Sequence, residues 1–221
     1  MPPKKPTTAP PVLDPVVLAD LTPGDRYDLE DEADLEGFAF SDLELDELSL
    51  RDASLFGSRL EGVRAGEAEL RGATLTEVVL ERVDVPVVRG VRNRWRGVEV
   101  RGARIGSAEL YESTWDGVHL VGCKLGFVNL RGAVLRDVAF TDCTIDELDL
   151  VQANATRVSF TDTRVRRLDV QASTLAHVDL RGADLHDLAG VGSLRGVTIS
   201  PPQLAQLADL LARDLGITVA D

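Results

Sequence analysis

The chain has 221 residues, with 37 Asp or Glu against 24 Lys or Arg, a net charge of −13. That balance excludes a protein that wraps nucleic acid by neutralising phosphates, so no direct nucleic-acid binding is expected. Apolar residues make up 44% but aromatics only 5%, with a single Met, so a core must be built from small and aliphatic side chains.

Residues 1–12 hold five Pro and read as a disordered tail. The start, Met1 to Pro6, lacks the apolar stretch of a secretory signal, and no apolar run approaches the roughly 20 residues of a spanning helix. A cytoplasmic location without a membrane partner is therefore expected. Residues 13–32 read as an N-terminal cap, in which Val16, Val17, Leu18 and Leu21 would plug the first coil of the region beginning at residue 33. Between Asp25 and Asp52 twelve acidic residues face only Arg26 and Arg51. Most of the net charge therefore sits near the N-terminal end. Within this run Asp28, Asp31, Glu32, Asp34, Glu36, Asp42, Glu44, Asp46 and Glu47 form a candidate surface for a basic protein partner. The alternative is a solvated face that only keeps the protein in solution.

From residue 33 to 199 one pattern dominates. Every fifth residue from Leu35 to Gly190 is apolar, except Gly90 and Gly190 themselves. The position two before each of these centres is small in many units, as at Ala53, Ala73, Ala103, Cys123, Ala133 and Cys143; Asn93 is out of place. Gly recurs two after the centre, where a tight turn uses positive φ. A period of five is neither the 3.6 of a helix nor the 2 of a strand. It describes two inward residues and a turn, repeated: a wall that turns corners. One such unit cannot bury its apolar pair alone, so successive coils must stack.

Within this region 86–97 is ambiguous. It holds Gly90, Asn93 and a basic run, Arg89, Arg92, Arg94 and Arg96, which makes a second candidate contact surface. It is either an imperfect coil or a projecting loop whose length is a multiple of five. Past Gly190 the frame slips by one, to Leu194 and Ile199. Residues 200–221 then open with Ser200-Pro201-Pro202-Gln203, an N-cap, Pro at the first helical position and a capping-box partner. Leu204, Leu207, Leu211 and Leu215 come next at helical spacing and Gly216 ends the helix. This helix either closes the last coil or packs on a second copy.

Units such as Ala33-Asp34-Leu35-Glu36-Gly37 and Ala183-Asp184-Leu185-His186-Asp187 match the motif A-(D/N)-L-x-x. The chain resembles the pentapeptide-repeat proteins. The resemblance implies an all-β solenoid: a right-handed quadrilateral β-helix of about eight 20-residue coils, roughly 38 Å long at ~4.8 Å per coil, followed by the C-terminal α-helix. Residues 20 apart would then stack. Cys123 and Cys143 become a reduced core pair or a redox pair. Trp95 and Trp115 become stacked core residues, or the mark of a bulged wall. The resemblance also implies a homodimer through the C-terminal region.

No catalytic constellation, metal-ligand spacing or phosphate loop is visible, and no cofactor is expected. His119, His177 and His186 fall at outward positions without a nucleophile beside them. The expected function is a non-catalytic, rigid protein-interaction module. The alternative, implied by the quinolone-resistance members of the family, is an acidic DNA mimic that binds DNA gyrase or topoisomerase IV and inhibits it or protects it from drugs.

Overall fold

The computed structural model describes residues 8–219. From Asp34 onward the chain winds into a solenoid in which residue i pairs with i+20 in parallel register, as in Leu55 with Leu75, Trp95 with Trp115, and Leu125 with Ile145. One wall is a path of ten strands from Thr22–Pro23 to Val197–Thr198, joined at its start by Asp34–Glu36, Ser54–Phe56 and Thr74–Thr76. The other is a sheet of eight strands from Glu44–Ser49 to Ala183–Ala189. With the partial turns at either end this makes about nine turns.

Each turn has four straight segments. In the strand Arg94–Arg101 the pairing skips Gly97, and in Arg104–Glu109 it skips Gly106. These are the corners that the five-residue period requires. Three of the four corners in a typical turn place a residue at left-handed φ, for example Glu112 at 56°, Gly117 at 67° and Gly122 at 63°. Asp is frequent there, at 42, 142 and 162, because its short polar side chain tolerates this region. The fourth corner holds Asp46, Pro86, Asp146, Arg166 or His186 in some turns and glycine at 66, 106 and 126, where the backbones approach closely. A Cβ on Gly126 would lie 2.1 Å from the Gly106 carbonyl oxygen one turn above.

The inward pair of each unit fills the interior. Leu50, Leu55, Leu130, Leu135, Ile145 and Leu148 are almost fully buried at or beside the small column of Ala53, Ala73, Ala103, Ala133 and Ala153. Phe140 stacks on Phe160 with ring centroids 4.9 Å apart. Polar residues in the small column are explained by one repeated bond. Ser58, Cys123, Cys143 and Thr163 each point a hydroxyl or thiol at the carbonyl two residues before and at the one 23 residues before. The column therefore accepts Ala, or a small donor that ties two turns together.

Residues 86–97 form a regular coil and do not project: Asp84–Arg89 and Arg94–Arg101 are both strands in register with their neighbours. The signals that suggested a loop are a packing compensation. Asn93 is buried at the small inward position, donates to the Gly90 carbonyl at 2.6 Å and accepts from Trp115 Nε1 at 3.3 Å. A Cβ on Gly90 would meet Asn93 Nδ2 at 2.7 Å and Leu110 at 2.8 Å. Gly90 therefore makes room for Asn93, and Asn93 satisfies Trp115. The two indoles stack at 4.7 Å and 5°, both inside the coil, so the wall is not bulged.

The ends are closed differently. Leu29 is buried over the first turn, and Gly24 lies against the Phe40 ring. Val16, Val17 and Leu18, expected to plug that turn, lie instead along the outside of the rod, with Val17 80% exposed. At the far end the helix Pro201–Asp214 starts on a capping box between Ser200 and Gln203. Gln203 is buried, and its Nε2 donates to the carbonyls of Leu180 at 2.6 Å and Ala183 at 2.8 Å. Leu180 is 23 residues back, so Gln203 makes the bond that the small inward residue of a further turn would have made. Leu207 is also buried, and Leu211 is partly buried against the core. Leu204 and Leu215 are 51% and 74% exposed. No helix among the described residues is long and apolar enough to cross a membrane.

Candidate interaction surfaces

The acidic residues near the N-terminus ring the first turn and do not form a stripe down the rod. Asp34 and Glu36 stand on one wall, and Glu44, Asp46 and Glu47 on the other. Asp28, Asp31 and Glu32 belong to the connection above them. Asp31 is tied down: Arg51 binds it through Nε at 2.8 Å and Nη2 at 2.5 Å, with further bonds from Ser49 Oγ and the Arg51 amide. The Arg51 guanidinium, seconded by Ser49, holds its carboxyl far below the usual carboxylate range. Glu44 pairs with Arg64 at 2.8 Å. The other seven candidates make no ion pair among the described residues. Such exposed carboxylates keep their long-range field.

The basic run divides in the same way. Arg89 pairs with Glu67, and Arg92 with Glu112 at 2.8 Å. Arg94 and Arg96 are exposed and unpaired among the described residues. They stand in the same two rows as Asp34 and Glu36, three turns further on. At ~4.8 Å per turn that separation is roughly 14 Å. One wall thus carries free carboxylates and, below a Thr74–Thr76 step, free guanidiniums.

Over the rest of the body, opposite charges meet across adjacent turns. Arg157 clasps Asp137, Arg164 meets Asp184, Arg166 meets Asp146, and Arg167 lies between Glu147 and Asp187. Such exposed pairs add little stability individually. Their effect is to offset much of the charge along the rod, so most of the net charge lies at one end.

The helix offers Leu204 and Leu215 to solvent, with Ile217 and Val219 beyond it. Leu207 is committed to the rod. The four candidate leucines are thus divided between closing the last turn and facing outward.

The sequence reading did not identify the most extended surface feature. Residues 1–7 of the expected tail fall outside the described residues. Residues 8–21 run the length of the rod in the direction opposite to its winding. The Thr8 hydroxyl meets that of Thr198 in the last turn, and Thr22 pairs beside Phe38 in the first. Between them the Ala9 amide faces His177 Nδ1 at 3.4 Å, the Val12 amide donates to Asp137 Oδ1 at 2.8 Å, and the Val16 amide to Glu99 Oε1 at 3.2 Å. The signal lay in the wall. Val79 and Ala139 occupy outward positions of one row, yet are 1% and 7% exposed.

The family model described as pentapeptide repeat region matches residues 95–189, and the one described as pentapeptide repeats (8 copies) matches residues 49–85. Among solved structures the chain is similar to trypsin-treated QnrB1, a plasmid-mediated fluoroquinolone resistance protein, at 18% identity, covering 87% of this chain and 95% of that one, with a TM-score of 0.40. It is also similar to full-length QnrB1, at 18% identity over 88% and 95% of the two chains, with a TM-score of 0.32. HetL, involved in heterocyst differentiation regulation in the cyanobacterium Nostoc sp. Strain PCC 7120, is 19% identical over 76% and 90%, with a TM-score of 0.32. No curated protein matches the chain in sequence.

Proposed function

Because the chain belongs to the pentapeptide-repeat proteins, we propose that it acts as a rigid, non-catalytic protein-interaction module whose acidic first turn meets a basic surface on a partner protein. The observation that carries this reading is the concentration of net negative charge at one tip of a stiff rod, twelve acidic residues against Arg26 and Arg51 between Asp25 and Asp52, while cross-turn pairs offset much of the charge on the body. A field concentrated at one end favours end-on encounter and orients it. A DNA mimic would spread its charge along the whole length. Here most of the net negative charge lies at the tip, which favours the general interaction reading over the mimic.

DNA gyrase is nevertheless the first partner to test, since a stiff acidic end fits a basic groove. Supercoiling would be followed against the purified full chain, with and without a cleavage-stabilising drug. Inhibition or drug protection at low micromolar protein, lost on combining Asp34→Asn, Glu36→Gln, Asp42→Asn, Asp46→Asn and Glu47→Gln, would identify gyrase and locate its contact at the tip. No effect at tens of micromolar would remove gyrase. The tip would then be tested by comparing capture of basic proteins by the two chains, and equal capture would overturn the tip as a contact surface. The outward Leu204 and Leu215 support self-association through the C-terminal helix. Leu204→Glu with Leu215→Glu is expected to leave a monomer by light scattering if they form that interface.

A further inference from the structure

The segment 8–21 is held in an unusual way. Among the described residues it makes no backbone–backbone hydrogen bond, and its amides reach only side-chain acceptors on the wall. From Thr8 to Thr22 a fully extended chain covers about 46 Å at ~3.3 Å per residue. The eight turns between Phe38 and Thr198 need about 38 Å at ~4.8 Å each. The strap is therefore close to full stretch, and Pro10, Pro11 and Pro15 favour that form.

The wall beneath it is shaped as a groove. Its outward row reads Val79, Glu99, His119, Ala139, Ser159, Asp179 and Thr198, with small side chains at Ala139 and Ser159. Beside this row, over the corner column of Glu77, Gly97, Gly117 and Asp137, the strap leaves a cavity of about 470 Å³ under Asp14, Pro15 and Val16, with Arg96 and Asp116 also lining it. Val12 and Val17 turn outward and are 66% and 80% exposed. Burial nevertheless acts on the wall: it pushes the His119 imidazole down, towards its neutral form.

We propose that this groove is a binding site for an extended, proline-spaced aliphatic segment of a partner protein, which displaces residues 8–21. The strap is the template for that occupant: small or aliphatic side chains turned inward, and amides placed to meet Glu99 and Asp137. A second copy of the chain is the obvious rival. However, exchange of straps would bring two first turns head to head, each ringed by unpaired carboxylates, and like charges there oppose it. The inference rests on the reading of the rod as an interaction module, but its test needs neither gyrase nor the acidic tip, so the two readings fail separately.

The test uses the full chain, a full-length Leu13→Asp/Val16→Asp variant, and a fluorescent synthetic peptide of residues 8–21 as probe. A tethered strap competes at high effective concentration. Loosening it is therefore expected to tighten peptide binding at least tenfold by anisotropy, with faster hydrogen exchange at the Val12 and Val16 amides. A peptide carrying the same two substitutions should bind neither chain. Val12→Pro, which removes one amide donor from an already extended segment, provides a milder variant expected to shift binding in the same direction. The proposal is overturned if the loosened chains bind the peptide no more tightly than the original. It is also overturned if the strap amides stay as protected in both variants, because the segment is then a fixed part of the wall.

Discussion

Asn93 shows how one residue can break a sequence pattern and keep the structure. It replaces a small apolar side chain, and the cost is met within a few ångströms: Gly90 makes space, and the Gly90 carbonyl and Trp115 Nε1 take its two polar ends. Asn93→Ala removes both bonds and leaves an indole N–H buried without a partner. A loss of about 2–3 kcal/mol is expected by urea unfolding. The two thiols behave as core donors. Cys123 and Cys143 are 1% and 2% exposed, and the bond with Cys143, followed by burial, pushes the Cys123 thiol up. Both are expected to resist a thiol reagent at neutral pH until the chain unfolds, and Cys123→Ser, which keeps a donor to Val121 and Val100, should fold. Ala172 is the opposite case. It is an exposed non-polar residue at φ 55°, with nothing local to offset that conformation. Ala172→Gly is expected to stabilise by about 1 kcal/mol in the same assay. The inward column was legible because its period is strict. The exchange among Gly90, Asn93 and Trp115 was not, because it joins residues in two turns whose stacking only the coil reveals.

At the scale of elements, the C-terminal helix was legible from Ser200 to Gly216, since capping and periodicity are local. Its docking was less so. Gln203 reads as a capping-box residue, yet its side chain also reaches Leu180 and Ala183, serving the solenoid as well as the helix. Gln203→Leu would strand two buried carbonyls, with an expected loss of about 1–3 kcal/mol and early melting of helical signal in circular dichroism. The strap was least legible, because its partners lie up to 190 residues away and are side chains, and its prolines resemble those of a disordered tail. Asp137 anchors it. The Arg157 guanidinium, and then the Val12 amide, hold this carboxyl below its usual range. A depressed carboxylate contributes stability that is complete above the ordinary carboxylate range and lost as pH falls through the lowered value. Acid should therefore release the strap. The Val12 amide resonance is expected to move to its unbound position at the low-pH edge of that range, while Arg157→Gln, which lifts the depression, should move the change to higher pH.

At the scale of the whole molecule, a solenoid is close to one-dimensional: each turn touches its neighbours, and unfolding can start at either end. Here one segment touches turns from first to last. Opening an end therefore means lifting the strap, which couples turns that share no direct contact. Loosening it with Leu13→Asp/Val16→Asp is expected to broaden the urea transition and lower its m value, as the rod unfolds in parts. Charge is distributed at the same scale. Most of the chain's −13 belongs to one end of the rod: twelve acidic residues face two basic ones between Asp25 and Asp52.

The direction of the strap also sets an order of events during synthesis. Thr8 leaves the ribosome 190 residues ahead of its partner Thr198. At roughly 5–20 residues per second the interval is about 10–40 s. Throughout that time the turns can stack one by one while the groove beside them stays open, available to any chaperone or neighbouring nascent chain. Closure of the strap then marks the moment at which the last turn exists, so a segment made before the whole solenoid is secured only after it.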